Sequence, residues 1–94
     1  MAETSSGKHP YSEVWSNGII RRTFHTDVVE DELVWHRDRK NREVRIVESD
    51  GWKLQYDNEL PIDLEKGKTY FIEAMRYHRV IRGNGNLVLE IRED

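Results

Sequence analysis

The sequence predicts an all-β domain, a sandwich or barrel of about eight short antiparallel strands. Short runs of alternating apolar and polar residues recur along the chain, with turn residues roughly every 8–12 positions. Val, Ile and Thr contribute 19 of the 94 residues, whereas alanine contributes two. That balance favours strands over helices, because branched side chains fit a pleated surface. No stretch has a sustained helical period.

Length and composition indicate one soluble domain. Residues 1–10 are small and polar and are expected to form a flexible N-terminal tail, and residues 11–94 a single barrel domain. No apolar run is long enough to span a membrane, and no signal-peptide core follows Met1. We therefore expect a cytoplasmic protein. Cysteine is absent, so a metal site would have to use His, Asp or Glu.

The N-terminal strands form a predicted hairpin. Residues 11–15 make a first short strand, and Asn17-Gly18 is a strong hairpin signal because both residues tolerate positive φ. The second strand covers residues 19–26, with Ile20, Arg22 and Phe24 on one face.

The other strands are predicted between further turn signals. Asp50-Gly51 and residues 83–86 are glycine-containing turns, and the assignment of residues 59–67 is left open. The strands are expected over residues 32–38, 42–48, 52–56, 69–73, 77–82 and 87–91. Six aromatic residues are expected to pack in the core or against the sheets: Trp15, Trp35, Trp52, Tyr56, Tyr70 and Phe71.

A His-x-Asp pair is the first chemical motif. His36 and Asp38 lie two residues apart on a predicted strand, so both side chains point to the same face and suit one metal ion. His78, on a later strand, is the candidate third ligand, because two histidines and one carboxylate form a known metal-binding arrangement. The alternative is structural: Asp38 pairs with neighbouring arginines and the histidines are ordinary strand residues.

These residues also carry a family resemblance. His36-Arg37-Asp38, four residues and then Glu43 is similar to the first cupin motif, with Asp38 in place of its second histidine. Gly67, ten residues and then His78 keeps the spacing of the second motif. Other signature positions differ: Glu30 replaces the opening glycine, Gly51 lies one position late, and the later Pro, Gly and Asn are replaced by Glu73, Met75 and Arg82.

The chain thus resembles a small RmlC-like single-domain cupin. That resemblance implies a double-stranded β-helix, or jelly-roll barrel, and a divalent ion such as Fe, Mn, Ni or Zn. It places the metal ligands on His36, Asp38, Glu43 and His78, and it makes a homodimer a further expectation. Strand alternation conflicts with one ligand: if Val44 and Ile46 face the core, Glu43 faces outward unless a bulge intervenes.

Three functions follow as hypotheses. The first is a metal-binding cupin that acts on or binds a small polar molecule, with oxygenase, isomerase or lyase chemistry left open. The second is a non-catalytic cupin that binds a sugar or an organic acid; Gln55, Arg45 and Arg82 are candidate substrate-binding residues. The third is a barrel that binds single-stranded nucleic acid through arginines and aromatic residues. The net charge of −3 argues against the third.

Overall fold

The computed structural model describes residues 11–25 and 33–93. Its regular elements are all strands, and none of the described residues forms a helix that could cross a membrane. Thr26, Glu30 and the predicted tail lie outside the described residues. The eight strands are β1 (Tyr11–Ser16), β2 (Ile19–Phe24), β3 (Arg42–Glu48), β4 (Lys53–Tyr56), β5 (Ile62–Asp63), β6 (Thr69–Ile72), β7 (His78–Ile81) and β8 (Leu87–Glu93).

The strands form two antiparallel sheets around one core. The larger sheet has the order β1-β2-β8-β3-β6, and the smaller has the order β5-β4-β7. The last strand, β8, therefore lies between β2 and β3, a long-range pairing typical of a jelly roll. Side chains from both sheets join a single buried cluster. The predicted all-β jelly-roll class is confirmed.

Strict alternation along the strands builds this core. In β3, Val44 and Ile46 are buried while Glu43 and Arg45 are exposed. The same alternation buries Leu54 on β4 together with its neighbours two positions away, as predicted. Each such aliphatic side chain contributes about 1.5–3 kcal/mol when it is fully buried.

Two turns fix the ends of the sheets. Asn17 and Gly18 have φ of 52° and 78°, the left-handed conformation of the predicted hairpin turn. At the other turn, a Cβ on Gly83 would come within 2.4 Å of backbone atoms of residues 50–52. Trp52, which is fully buried, donates its indole N–H to the Asn84 carbonyl at 3.1 Å. Turn and core therefore stabilise one another.

The strand expected over residues 32–38 is not present in its described part, residues 33–38. Only His36 pairs there, in an isolated antiparallel bridge with His78. Apolar and polar residues do alternate in this segment. It lies beside the start of β7, however, and among the described residues it pairs with that strand at one residue only. Conversely, β5 was not predicted, because two residues are too few to show a period.

The expectation about aromatic residues is correct for part of the set. Trp52 and Tyr56 are buried, and Tyr70 packs against the core. Trp15 and Phe71 are 67% and 57% exposed. Both lie on edge strands of the large sheet, β1 and β6, where fewer neighbours cover a side chain.

Candidate metal centre

Three side chains predicted as metal ligands converge at one end of the barrel. His36 and Asp38 come from the irregular segment after residue 32, and His78 begins β7. One ligand atom from each lies within 4.8 Å of the others. His78 is only 3% exposed, whereas His36 is open to solvent. The group therefore lies on the boundary between core and surface.

Backbone hydrogen bonds hold the irregular segment in place. His36 and His78 exchange two N–H···O bonds, each 2.9 Å long. The Met75 N–H donates to the Asp38 carbonyl at 2.6 Å. The Asn41 side chain accepts a further bond from the Ala74 N–H at 2.7 Å. The segment is thus fixed to the β6–β7 connection without a regular strand.

Both imidazole rings are oriented by carbonyl groups two residues before them. His36 Nδ1 lies 3.0 Å from the Val34 oxygen, and His78 Nδ1 lies 2.7 Å from the Arg76 oxygen. A carbonyl only accepts, so each Nδ1 carries a proton, and it is Nε2 of each ring that is left to bind a cation. This is the orienting contact that metal-binding histidines use in proteins.

Both Nε2 atoms face the Asp38 carboxylate. His78 Nε2 is 3.4 Å from Oδ2, and His36 Nε2 is 3.9 Å from Oδ1. Asp38 Oδ2 is buried and has no hydrogen-bond partner among the described residues. A buried carboxylate oxygen without a donor costs free energy unless a cation or donor meets it. Oδ2 therefore fits a metal ligand better than a structural carboxylate.

Asp38 is also ionised at neutral pH. Burial raises the pKa of its carboxyl group, but a hydrogen bond from His78 when that ring is protonated, the charge of the Arg42 guanidinium and the charge of a protonated His36 together outweigh burial, and the pKa lies below the usual 3.8. Arg42 NH1 is 3.3 Å from Oδ1. The carboxylate is consequently in the form that binds a cation.

The three side chains line a cavity of about 250 Å³ that is partly open to solvent. Apolar side chains from both sheets and from the irregular segment make up most of its wall. They are Phe24, Leu33, Val34, Val44, Leu54, Leu64, Ile72, Val80, Leu89 and Ile91. Two arginines, Arg22 and Arg42, and two tyrosines complete the described wall.

Glu43, the fourth predicted ligand, is not part of this group. It lies on the outer face of the large sheet, in a surface recess with Arg45 and Glu90. The reason is the alternation of β3, which turns Val44 inward. The one irregularity in the β3–β8 pairing falls between Ile46 and Glu48, too far along the strand to reverse Glu43.

The three predicted substrate-binding residues do not line the cavity either. Gln55 lies on the outer face of β4, where it accepts a hydrogen bond from Arg79 at 2.9 Å. Arg45 pairs with Glu90 at 2.9 Å on the outer face of the large sheet. Arg82 follows β7 and is exposed. These three residues are polar because they lie on the outer surface of the domain and not because they line the cavity.

Arg22 and Arg42 are the charged wall residues that sequence reasoning missed. Each occupies an inward position. Arg22 lies on the same face of β2 as Ile20 and Phe24, and Arg42 lies on the same face of β3 as Val44. That parity was visible in the sequence. An arginine in phase with core residues is the signal that finds a charged group directed into a barrel.

Met75 occupies the motif position where the cupin pattern has a glycine. Its φ is +66°, a left-handed conformation that side chains other than glycine and asparagine rarely adopt. The turn before His78 thus has a left-handed residue at this position although the glycine is absent.

Solved structures with the same architecture identify the fold. A cupin domain from Bordetella pertussis Tohama I superposes with a TM-score of 0.63 at 18% identity and covers 95% of this chain and 99% of its own. The fold is that of the cupins. A putative mannose-6-phosphate isomerase from Ralstonia eutropha JMP134 gives 0.61 at 18% identity, with 89% and 82% covered.

A third structure with the cupin fold is the iron(II) form of HppE. Its TM-score is 0.64 at 16% identity, and the match covers 89% of this chain but 48% of HppE. The sequence matches no family model and no curated protein. At these identities the likeness establishes the cupin fold, and the site must be argued from the residues of this chain.

Proposed function

We propose that this chain is a metal-binding cupin that holds one divalent ion on His36, Asp38 and His78 and takes a small molecule in the adjoining cavity. The observation that carries the proposal is Asp38 Oδ2, which is buried without a hydrogen-bond donor and lies 3.4 Å from a histidine nitrogen. A cation between these atoms would satisfy both.

The donor set fits a catalytic metal rather than a closed structural one. Two imidazoles and one carboxylate are the ligands of non-haem iron(II) sites, and they leave coordination positions open. Mn, Ni and Zn accept the same donors, so the set does not select among them. HppE, which shares the fold, was solved as an iron(II) protein. A bound ion would supply Lewis-acid polarisation of a ligand oxygen.

The protein's own groups have defined tasks around that ion. The carbonyls of Val34 and Arg76 would hold a proton on each Nδ1 and so direct each Nε2 toward the ion. Arg42 would hold the Asp38 carboxylate in its present orientation while pairing with Glu93 at 2.6 Å. The apolar wall would limit water at the open coordination positions and strengthen electrostatic contacts there.

Metal titration of the purified protein tests the proposal. We expect one zinc or manganese ion per chain, with affinity lowered at least tenfold in His36→Ala, Asp38→Asn and His78→Ala. His25→Ala is the matched control, because His25 is exposed and contacts Ser12 at 3.2 Å outside the group. Equal metal binding by the wild type and all three site variants would refute the proposal.

Binding and catalysis are separated by a different observation. A non-catalytic cupin would be stabilised thermally by its ligand but would not convert it. An enzyme would be stabilised by its ligand and would also turn it over. The cytoplasmic location, the homodimer and the expectation that nucleic acid is not a partner remain predictions from the sequence.

A further inference from the structure

We infer that the ligand of the cavity is a small organic anion with an apolar body, and not a sugar. This inference rests on the proposed metal site and specifies what that site works on. It follows from three properties of the cavity, which are the apolar majority of its wall, the charge around it when a divalent ion is bound, and the donors on Arg22.

The apolar majority disfavours carbohydrates. Ten of the wall residues are aliphatic or phenylalanine: seven lie on β2, β3, β4, β6, β7 and β8, and the other three, Leu33, Val34 and Leu64, lie outside the strands. A sugar has a hydroxyl on nearly every carbon, and each hydroxyl buried here without a partner would cost affinity. An alkyl or aromatic body gains affinity from the same wall.

The charge around the cavity favours an anion once a divalent ion is bound. Arg22 and Arg42 line the cavity, and each contacts a carboxylate behind the wall, Glu13 and Glu93 respectively. With Asp38, these described arginines and carboxylates sum to −1, and a divalent ion on the metal group would bring the sum to +1. A ligand carboxylate would then meet a positive centre formed by the ion and the guanidinium groups of the wall.

Arg22 is the group best placed to meet the anion. Its Nε and NH2 both contact one oxygen of Glu13, at 2.6 and 2.5 Å, and the guanidinium lies 3.9 Å above the Tyr11 ring. A guanidinium has five N–H donors, so three have no partner among the described residues. Arg42, in contrast, already contacts both Glu93 and Asp38.

The cavity volume limits the size of the anion. At about 250 Å³ it is smaller than the cavities that hold drug-sized ligands, about 300–1,000 Å³. Benzoate and hexanoate match these properties: each has one carboxylate and a compact apolar body. Benzamide and hexan-1-ol are their uncharged counterparts.

Calorimetric titration of the zinc-loaded protein with these four compounds and mannose tests the inference. We expect benzoate to bind at least tenfold more tightly than benzamide, hexanoate more tightly than hexanol, and mannose not to bind detectably. In Arg22→Gln the preference for benzoate should fall to less than threefold, and Arg22→Lys should retain part of it. Arg45→Gln, which removes an outer-face arginine, should leave it unchanged.

The same samples distinguish the inference from the proposed function. Benzamide binding as tightly as benzoate, or mannose binding more tightly than either, in wild-type protein that holds zinc overturns the anion inference alone. An unchanged preference in a folded Arg22→Gln variant also overturns it. Failure of the wild type to bind zinc before any organic ligand is added overturns the proposed function, and the inference with it.

Discussion

Two neighbouring residues of β3 show what alternation decides at the residue scale. Glu43 matches the spacing of a cupin ligand, yet it lies outside, whereas Arg42 faces the cavity and contacts Asp38. Motif spacing selects Glu43 as a ligand, whereas the parity of Val44 and Ile46 predicts that Glu43 faces outward, and the structure has it there. Where the two kinds of evidence disagree within a regular strand, the two-residue period decides, because reversing one side chain requires a bulge.

The sequence predicted Asp38, His36 and His78 as metal ligands because short-range spacing and a recognisable motif coincide. Local sequence patterns alone do not show that these three side chains lie close together in the folded chain. Their proximity depends on the pairing of His36 with His78 across 42 residues of chain, and on two backbone carbonyls that orient the rings. Such contacts are properties of the folded chain, so only the structure supplies them.

Met75 stores backbone strain beside the metal group. A left-handed conformation costs a residue with a side chain about 1–2 kcal/mol, and replacement by glycine removes this cost. Glycine also has greater conformational entropy in the unfolded state, which offsets part of the gain. We therefore expect Met75→Gly to raise the free energy of unfolding by about 0.5–1 kcal/mol. Little burial is lost, since Met75 is 53% exposed. Urea denaturation provides the measurement.

Met75→Ala is the matched control for that variant. Alanine also removes the methionine side chain but keeps the unfavourable φ, so no gain in stability is expected. Equal stabilisation by alanine and glycine would show that the side chain, and not the backbone conformation, was responsible.

At the scale of elements, the irregular segment of residues 33–41 is the least conventional part of the fold. It carries two of the three candidate ligands but forms only one bridge to the sheet. The sequence predicted a strand there because alternation reports which face is buried and not whether a partner strand is within reach. The two-residue strand β5 was missed for the opposite reason: it pairs without a pattern.

Trp35 anchors this segment from the outside. Its ring stacks on Tyr77 at 6.1 Å with an interplanar angle of 8°, and the Arg79 guanidinium lies 4.8 Å from its centre. Aromatic and cation–π contacts of this kind contribute about 0.5–1.5 kcal/mol each. Trp35 is the residue immediately before His36, so its contacts restrict the position of that ligand.

We expect Trp35→Ala to weaken zinc binding by roughly tenfold. Without the ring contacts the segment that carries His36 is held less firmly, and about 1.4 kcal/mol of the zinc-binding free energy is then spent on ordering it. Trp35→Phe should restore part of the affinity. The control is Trp15→Ala on β1, which removes an equally large but exposed ring. Zinc affinity that is unchanged in Trp35→Ala would contradict a positioning role.

At the scale of the whole molecule, local signals and topology contributed differently to the predicted fold. Turn dipeptides and alternation located most strands, since both act over a few residues. The order in which the strands pair, with β8 between β2 and β3, is long-range and was not predicted, because the resemblance to cupins implied only a jelly-roll barrel. The two Arg–carboxylate pairs near the cavity had no local signal, because their partners are far apart in sequence or on different strands.

The large sheet is also tied together across its outer face by charge. Glu90 on β8 stands between Arg21 on β2 and Arg45 on β3, at 2.8 and 2.9 Å. Hydrogen bonds from Arg21 and then from Arg45 hold the pKa of Glu90 below its usual 4.5. A carboxyl group with a lowered pKa in the folded state stabilises the protein above its unfolded pKa, and this contribution is lost as the pH falls through the folded pKa.

We therefore expect Glu90→Gln to lower the Tm by a few degrees at pH 7, with the difference from wild type disappearing well below pH 4.5. Thermal unfolding across this pH range provides the measurement. Glu43→Gln, on the same outer face, is the control and should change neither the Tm appreciably nor the zinc affinity. A Glu90→Gln deficit that persists unchanged in acid would contradict the ionic account.

Anomalous diffraction from crystals soaked in zinc would locate the ion on the protein. We expect one strong peak at the barrel end, about 2.0–2.2 Å from His36 Nε2, His78 Nε2 and an Asp38 oxygen, with Glu43 far from it. An empty site at saturating zinc, or a peak held by other residues while these three stay uncoordinated, would contradict the proposed metal site.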